Sequence, residues 1–449
     1  MSFACSLTVV LIIFEGIIIQ CEGAGDEPSL PNDLIETVIS KTDFKKLHEI
    51  IRSQKLPITK FATNSILQDR IIVIGSEPDG QIHEDHEHGD TFLEFDTQRR
   101  LQSFFDQFGD QVKKIEINYE DDAQHDEINR NSIHYIQRCA KNLEELRINT
   151  SNDMRFWKDL LDGENRIIFP EVKKFQIDGD SKREELKLNL IFPKLESFKV
   201  DGWVADENCL ANVVTLKELM LTPFAIPEEQ FEIIFKNNKN MTKIFLEIPQ
   251  RPETMYAIAK YLTKLETLAI VYPREKFFLR ANSNTVYVLP SVTYFDISFY
   301  EIGEHISIGN LSFDMPHLKK LTLTIDGQTD DGIINFIKHF KELEILELFL
   351  EEYNAVKCIE KLKHIKEFRA NIYENHFDSL EDIFERLDEN FELQTLKLEY
   401  SDGSLYDAYE AEMKKINIQL EKSMKTTWTL SHGEYIGTTT KFFMFTREL

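Results

Sequence analysis

The sequence predicts an α/β solenoid, in which short strands stack into a curved parallel sheet with helices on its convex side. Three observations predict it. A six-residue pattern with apolar side chains at its first, fourth and sixth positions recurs twelve times between residues 112 and 398. Successive copies stand 21 to 31 residues apart. Four of them follow stretches whose apolar residues recur with the period of a helix.

The copies are VKKIEI from Val112, LEELRI from Leu143, VKKFQI from Val172, LESFKV from Leu195, LKELML from Leu216 and MTKIFL from Met241. LETLAI from Leu265, VTYFDI from Val292, LKKLTL from Leu318, LEILEL from Leu343, IKEFRA from Ile365 and LQTLKL from Leu393 follow. Three apolar side chains with polar residues between them suit a short strand entered from a bend. Burying the three is worth roughly 5–9 kcal/mol, whereas ordering a unit of about 25 residues costs roughly 1–2 kcal/mol per residue in backbone entropy. A single unit therefore cannot fold alone, and neighbours must stack. One match is weak; about twelve repeats at intervals in the twenties are the signature of leucine-rich repeats. The helix-like approaches are SIHYIQRCAKNLEEL, QFEIIFKNNKNMTKI, TMYAIAKYLTKLETL and GIINFIKHFKELEIL, the last with Ile333, Ile334, Ile337 and Phe340 on one face.

At 449 residues the chain exceeds a usual single core, but a solenoid grows in one dimension and escapes that limit. With 42% hydrophobic and 29% charged residues it reads as globular. A net charge of −26 argues against nucleic acid or an anionic membrane as partner, since either would be repelled. Basic or neutral proteins fit better.

Residues 1–24 read as a secretory signal peptide: an apolar run from Leu7 to Phe14, broken at Glu15 and Gly16, resumes at Ile17 to Ile19 and ends in CEGAG. The run is too short to span a membrane. Cys5 and Cys21 lie in this leader, leaving Cys139, Cys209 and Cys358 far apart and no cysteine cluster at either end of the repeats. The mature chain thus suits a reducing compartment. Export followed by work in such a compartment reconciles the two.

Residues 28–68 read as helical. Pro31 suits a first helical turn, after which Leu34, Ile35, Val38 and Ile39 line one face. Asp43 is placed to cap a second helix carrying Phe44, Leu47, Ile50 and Ile51. A third short helix over Ile58 to Leu67 and a strand over Arg70 to Ile74 complete the segment. On the residues alone this is a helical cap for the first repeat. The order Leu-Pro, amphipathic helix, Asp-led helix and irregular repeats also resembles the F-box with leucine-rich repeats of substrate receptors in SCF-type ubiquitin ligases. The resemblance implies that Leu30, Pro31, Leu34, Ile35, Val38 and Ile39 face a Skp-type adaptor, while the repeats hold an unknown target protein. The Val-Cys-Lys-x-Trp ending usual in that family is replaced here by IIRSQKLPITKF. No copy has Asn or Cys three residues beyond its third apolar position, so the side-chain ladder of regular extracellular repeats is missing. Together with a signal peptide, this domain order resembles secreted salivary effectors of plant-feeding gall midges, which implies action in the cytoplasm of a host cell.

Within residues 69–96 the loop GSEPDGQIHEDHEHGD gathers His83, His86 and His88 with Asp85, Asp90, Glu84 and Glu87. Imidazole and carboxylate can bind zinc or nickel, but a loop lacks the geometry, and a solvated acidic segment is the expectation. Across the repeats of 97–403, the third, fifth and seventh residues of each unit point away from the core. Early units are polar there, with Lys114, Glu116, Glu145, Arg147, Lys174 and Gln176. Later ones present Met220, Phe245, Ala269, Val271, Tyr294, Ile345 and Phe349, the apolar run a protein-binding concave face requires. A loop or the C-terminal tail folded over them would account for them equally. Lys320, Thr322 and Thr324 interrupt the run.

Residues 404–449 suggest a closing helix through Leu405, Tyr409, Met413, Ile416 and Leu420, then a β-hairpin from TTWTLS and TTKFFMFTREL that brings Trp428, Phe442 and Phe443 to the end of the core. No phosphate loop, nucleophile elbow or cysteine metal spacing is present, so neither an enzyme nor a cofactor is expected. The sequence reads as a non-enzymatic adaptor. An extracellular ligand-binding scaffold with no ligase role is the alternative.

Overall fold

In a computed structural model, the structure describes residues 71–74, 109–119, 141–150, 168–178, 187–201, 208–222, 228–247, 252–271, 286–299, 312–325, 330–350, 364–371, 392–400, 428–434 and 441–447, with positions 102, 105, 106, 136 and 362. The expected F-box-like helices and signal peptide, the histidine-rich loop and the closing helix lie outside these residues. The chain divides into two compact units, the first comprising Met1–Asp178 with Ile191–Pro193 and the second Gly179–Leu190 with Lys194–Leu449.

In the first unit β1 (Ile71–Ile74), β2 (Lys114–Tyr119), β3 (Glu145–Thr150) and β4 (Lys174–Asp178) pair in parallel in that order. The register aligns Ile72, Ile115, Leu146 and Phe175 in one row, and all four are buried. Alternation along each strand is what puts them on a common face. The Phe175 ring stacks on Phe192 at 4.5 Å, and Phe192 on Phe169 at 5.7 Å, an offset geometry that aromatic pairs favour.

The second unit repeats the device. β5 (Ser197–Asp201), β6 (Glu218–Leu221), β7 (Lys243–Glu247) and β8 (Thr267–Val271) are followed by a short β9 (Val286–Val288) and then β10 (Tyr294–Phe299). After β11 (Ser312–Asp314) come β12 (Lys320–Ile325), β13 (Ile345–Leu350), β14 (Glu367–Asn371) and β15 (Thr395–Tyr400). β5, β6, β7, β8, β10, β12, β13, β14 and β15 lie side by side and parallel. β16 (Trp428–Glu434) and β17 (Lys441–Arg447) are antiparallel to each other, and β17 pairs antiparallel with β15. Strands thus stand at all twelve copies of the sequence pattern and at both arms of the expected hairpin. Phe445, which the sequence reading did not single out, is buried opposite Leu396, whereas the side chains of Trp428, Phe442 and Phe443 lie outside the described residues.

One backbone arrangement recurs at ten strand entries. The carbonyl of the second residue of a copy accepts the amides of the second and third residues of the next, at 2.7–3.1 Å. Lys319 O, for example, takes both Glu344 N and Ile345 N. Because a parallel strand slipped by one residue would turn its apolar set outward, this doubled acceptor and the buried row enforce the same register.

Helices appear where the apolar period predicts them: α1 (Phe231–Asn237), α2 (Pro252–Tyr261) and α3 (Asp330–Ile337). Of the fourth stretch, Ile136 is helical and buried and its neighbours lie outside the described residues. Before β10 and β12 the chain instead forms β9 and β11, which pair with each other in parallel. Three-residue segments such as VYV and SFD are too short to carry a helical face, and their alternation is visible only once paired. Phe313 of β11 ties these pieces to the sheet: its ring lies 5.1 Å from core-side Phe295 and 6.1 Å, edge-on, from Phe336 of α3. α3, β9 and β11 therefore pack on the core face of the sheet. The opposite face is open among the described residues.

Asn238, which follows α1, is 2% exposed and fully engaged. Its amide nitrogen donates to Val213 O at 2.8 Å and Ile234 O at 2.9 Å, and its side-chain oxygen accepts from Leu216 N at 2.8 Å. One polar side chain thereby closes a helix end and fixes the bend that enters β6.

Candidate protein-binding face

The open face of the second unit is a grid of three rows, since every second residue of each strand points there. The middle row runs Lys199, Met220, Phe245, Ala269, Asp296, Thr322, Glu347, Arg369 and Lys397 across adjacent strands. All seven residues expected to line a binding face lie on this grid: Met220, Phe245 and Ala269 in the middle row, Tyr294 and Ile345 to one side, Val271 and Phe349 to the other. They do not form one patch. Met220, Phe245, Ala269 and Val271 adjoin one another on β6 to β8, whereas Tyr294, Ile345 and Phe349 border a charged network.

Ala269 corrects the expectation of uniform exposure, for it is 6% exposed. It lies between Phe245 and β10, and a methyl side chain flanked by longer ones sinks below their tops. Ser298 and Thr322 are similarly sunk, at 8% and 7%. The face therefore has relief, with Phe245 and Tyr294 standing above a floor of small residues.

The charged network spans β10 to β15. Thr322 Oγ1 donates to Glu347 at 2.8 Å and lies 3.4 Å from the Tyr294 hydroxyl. Lys320 Nζ sits 3.0 Å from Glu347 and 5.1 Å from the centre of the Tyr294 ring. Arg369 bridges two strands, with Nη1 3.5 Å from Glu347 and a two-pronged contact to Glu399 at 2.8 Å on each prong. Its guanidinium also covers the Phe349 ring at 5.5 Å, so Phe349 is engaged within the fold rather than free for a partner. Burial acts to raise the Glu347 carboxyl, but the bonds from Lys320 and Thr322 and the nearby Arg369 outweigh it and hold the group below its ordinary range.

Asp296 is the exception. Half-buried beside Ala269, it has the Tyr294 hydroxyl at 3.4 Å as its hydrogen-bond partner among the described residues. Burial pushes its carboxyl up to about 6, the Tyr294 bond and Lys320 opposing the rise and Glu347 adding to it. Glu247 is likewise raised, by burial and then by Asp201.

The sign of the Asp296 effect is testable. An unfolded aspartate titrates near 3.9, so between about pH 4 and 6 the folded state holds the extra proton, and stability falls as pH rises through that window. Asp296→Asn removes the penalty. With allowance for partial exposure, the variant is expected to be about 1–2 kcal/mol more stable than the parent at pH 7.5 and indistinguishable from it below pH 4. Urea unfolding at the two pH values measures this, and a destabilised variant at pH 7.5 would refute the desolvation account.

The sites placed by sequence outside the described residues are Leu30, Pro31, Leu34, Ile35, Val38 and Ile39, together with His83, His86 and His88. Among the described residues no group of His, Cys, Asp and Glu could hold a metal ion, and no helix is long and apolar enough to cross a membrane. Cys209 is buried. Sequence reasoning missed Asp296 and Glu247; their positions beside Ala269 and Val271 follow only from strand register.

No protein-family model matches the chain, and a search of curated proteins gives no significant match. Among solved structures the chain is similar to TLR13 in a complex with ssRNA13, at 14% identity and a TM-score of 0.32, covering 58% of this chain. It spans 43% of the length of that chain.

Proposed function

We propose that the chain is a non-enzymatic protein-binding scaffold whose recognition surface is the open face of β6 to β10. The observation that carries this reading is the apolar platform of Met220, Phe245, Ala269 and Val271 on three adjacent strands, beside carboxylates that the fold does not neutralise. Apolar side chains in register on a sheet face, ringed by polar groups, are what a protein partner needs.

In its finer form the proposal makes the chain an F-box-like substrate receptor of an SCF-type ubiquitin ligase, exported as an effector and acting in the cytoplasm of a host cell. Leu30, Pro31, Leu34 and Ile35, with Val38 and Ile39, dock a Skp-type adaptor, and the open face holds the target. Scarce cysteines and the irregular repeats support it. Pull-down of the mature chain with a Skp adaptor tests it. Capture is expected, with a loss of at least about tenfold when Leu30, Pro31 and Leu34 are all changed to Ala, the scale of removing buried anchors. No capture, or capture indifferent to the triple change, removes the ligase role and leaves an extracellular ligand-binding scaffold.

A further inference from the structure

Resting on the reading of β6 to β10 as a recognition surface, we infer that the depression over Ala269 receives a lysine or arginine side chain of the partner protein. Its aliphatic stem lies on Phe245 and Val271, and its cationic head reaches the carboxylates of Glu247 and Asp296.

The floor and walls come from register. Ala269 is opposite Phe245 on β7 and Asp296 on β10, while Val271 is opposite Glu247 and Ser298. Glu247 and Asp296 thus stand diagonally on either side of β8, one strand spacing of about 4.8 Å from it each. Between them lie only a methyl and an isopropyl group. A long side chain that is apolar along its stem and cationic at its tip matches such a surface.

Charge complementarity selects the cation. Three other carboxylates on this face are matched: Glu218 by Lys243 at 2.9 Å, Glu347 by Lys320 at 3.0 Å and Glu399 by Arg369 at 2.8 Å. Among the described residues, no lysine or arginine makes an ion pair with Glu247 or Asp296. The charged groups around them are Asp201 and Lys199 on β5, the Glu218–Lys243 pair, Lys320 and Glu347. Lys320 is committed to Glu347, and Asp201 adds negative charge. The raised carboxyls are the energetic sign of the same fact, because a group desolvated without a counter-charge holds its proton. A net charge of −26 draws a basic partner from a distance.

The test uses the full mature chain and an array of nine-residue peptides, randomised except for a central Lys, Arg, Leu or Glu. Retention on Lys- and Arg-centred peptides is expected to exceed that on Leu- and Glu-centred ones at least about tenfold, the contribution of one desolvated charge pair. Glu247→Gln with Asp296→Asn should abolish the preference without loss of folding, checked by thermal unfolding. Glu247→Lys should shift the preference toward Glu-centred peptides, a reversal no general loss of structure produces. Binding without a basic preference, or a preference unchanged in the double variant, overturns the inference alone. Failure to retain any peptide, or retention unaffected by Phe245→Ala, overturns the reading of this face as a recognition surface and the inference with it.

Discussion

Replacing Asn238 by Leu is expected to destabilise the second unit by about 3–6 kcal/mol, although leucine is close in size and the site is buried. Three backbone groups lose their partner at once: Leu216 N, Val213 O and Ile234 O. A buried polar group left unpaired costs roughly 1–3 kcal/mol, and added apolar surface returns only part of it. Denaturant unfolding of the parent and variant measures the loss. A change below about 1 kcal/mol would mean that water replaces the amide, and that Asn238 does not fix the bend into β6.

The second large effect concerns Arg369. Arg369→Met is expected to cost about 3–5 kcal/mol, because Glu399 is only 4% exposed and loses both prongs of its contact. Lys397 Nζ, on the same strand, stays 3.5 Å from the Glu399 carboxylate. Removing the pair together separates two explanations. If the cost arises from a stranded charge, Arg369→Met with Glu399→Leu should recover most of it. If the double variant is as unstable as the single one, the guanidinium acts through its packing on Phe349 instead.

The architecture was legible because burial imposes a period. Apolar residues at positions 1, 4 and 6 cannot be satisfied by a lone strand, so LKKLTL already implied neighbours, and Leu318, Leu321 and Leu323 are buried as that logic requires. Helix α3 was legible for the same reason, since Ile333, Ile334, Ile337 and Phe340 share one face and are all buried. β9 and β11 were not, because three residues carry no period. The open face was half legible. Which residues point outward follows from parity, but which of them meet depends on register between strands some 25 residues apart. Thr322 could be seen to interrupt an apolar run, yet not to join Tyr294 to Glu347. Nor could sequence show that Ala269 is sunk or that Asp296 is half-buried beside it.

The doubled acceptor found at ten strand entries has a consequence for how such a surface can change. Register is dictated by main-chain groups, which every residue type except proline supplies in full. The connections between copies can therefore vary from 21 to 31 residues in period without shifting one strand against the next. Outward side chains take no part in that alignment, so the grid behaves like movable type in a fixed frame. New combinations of letters can be set at Met220, Phe245 or Asp296 while the lines stay straight, and a lineage can rewrite what the face reads at little cost to what holds it together.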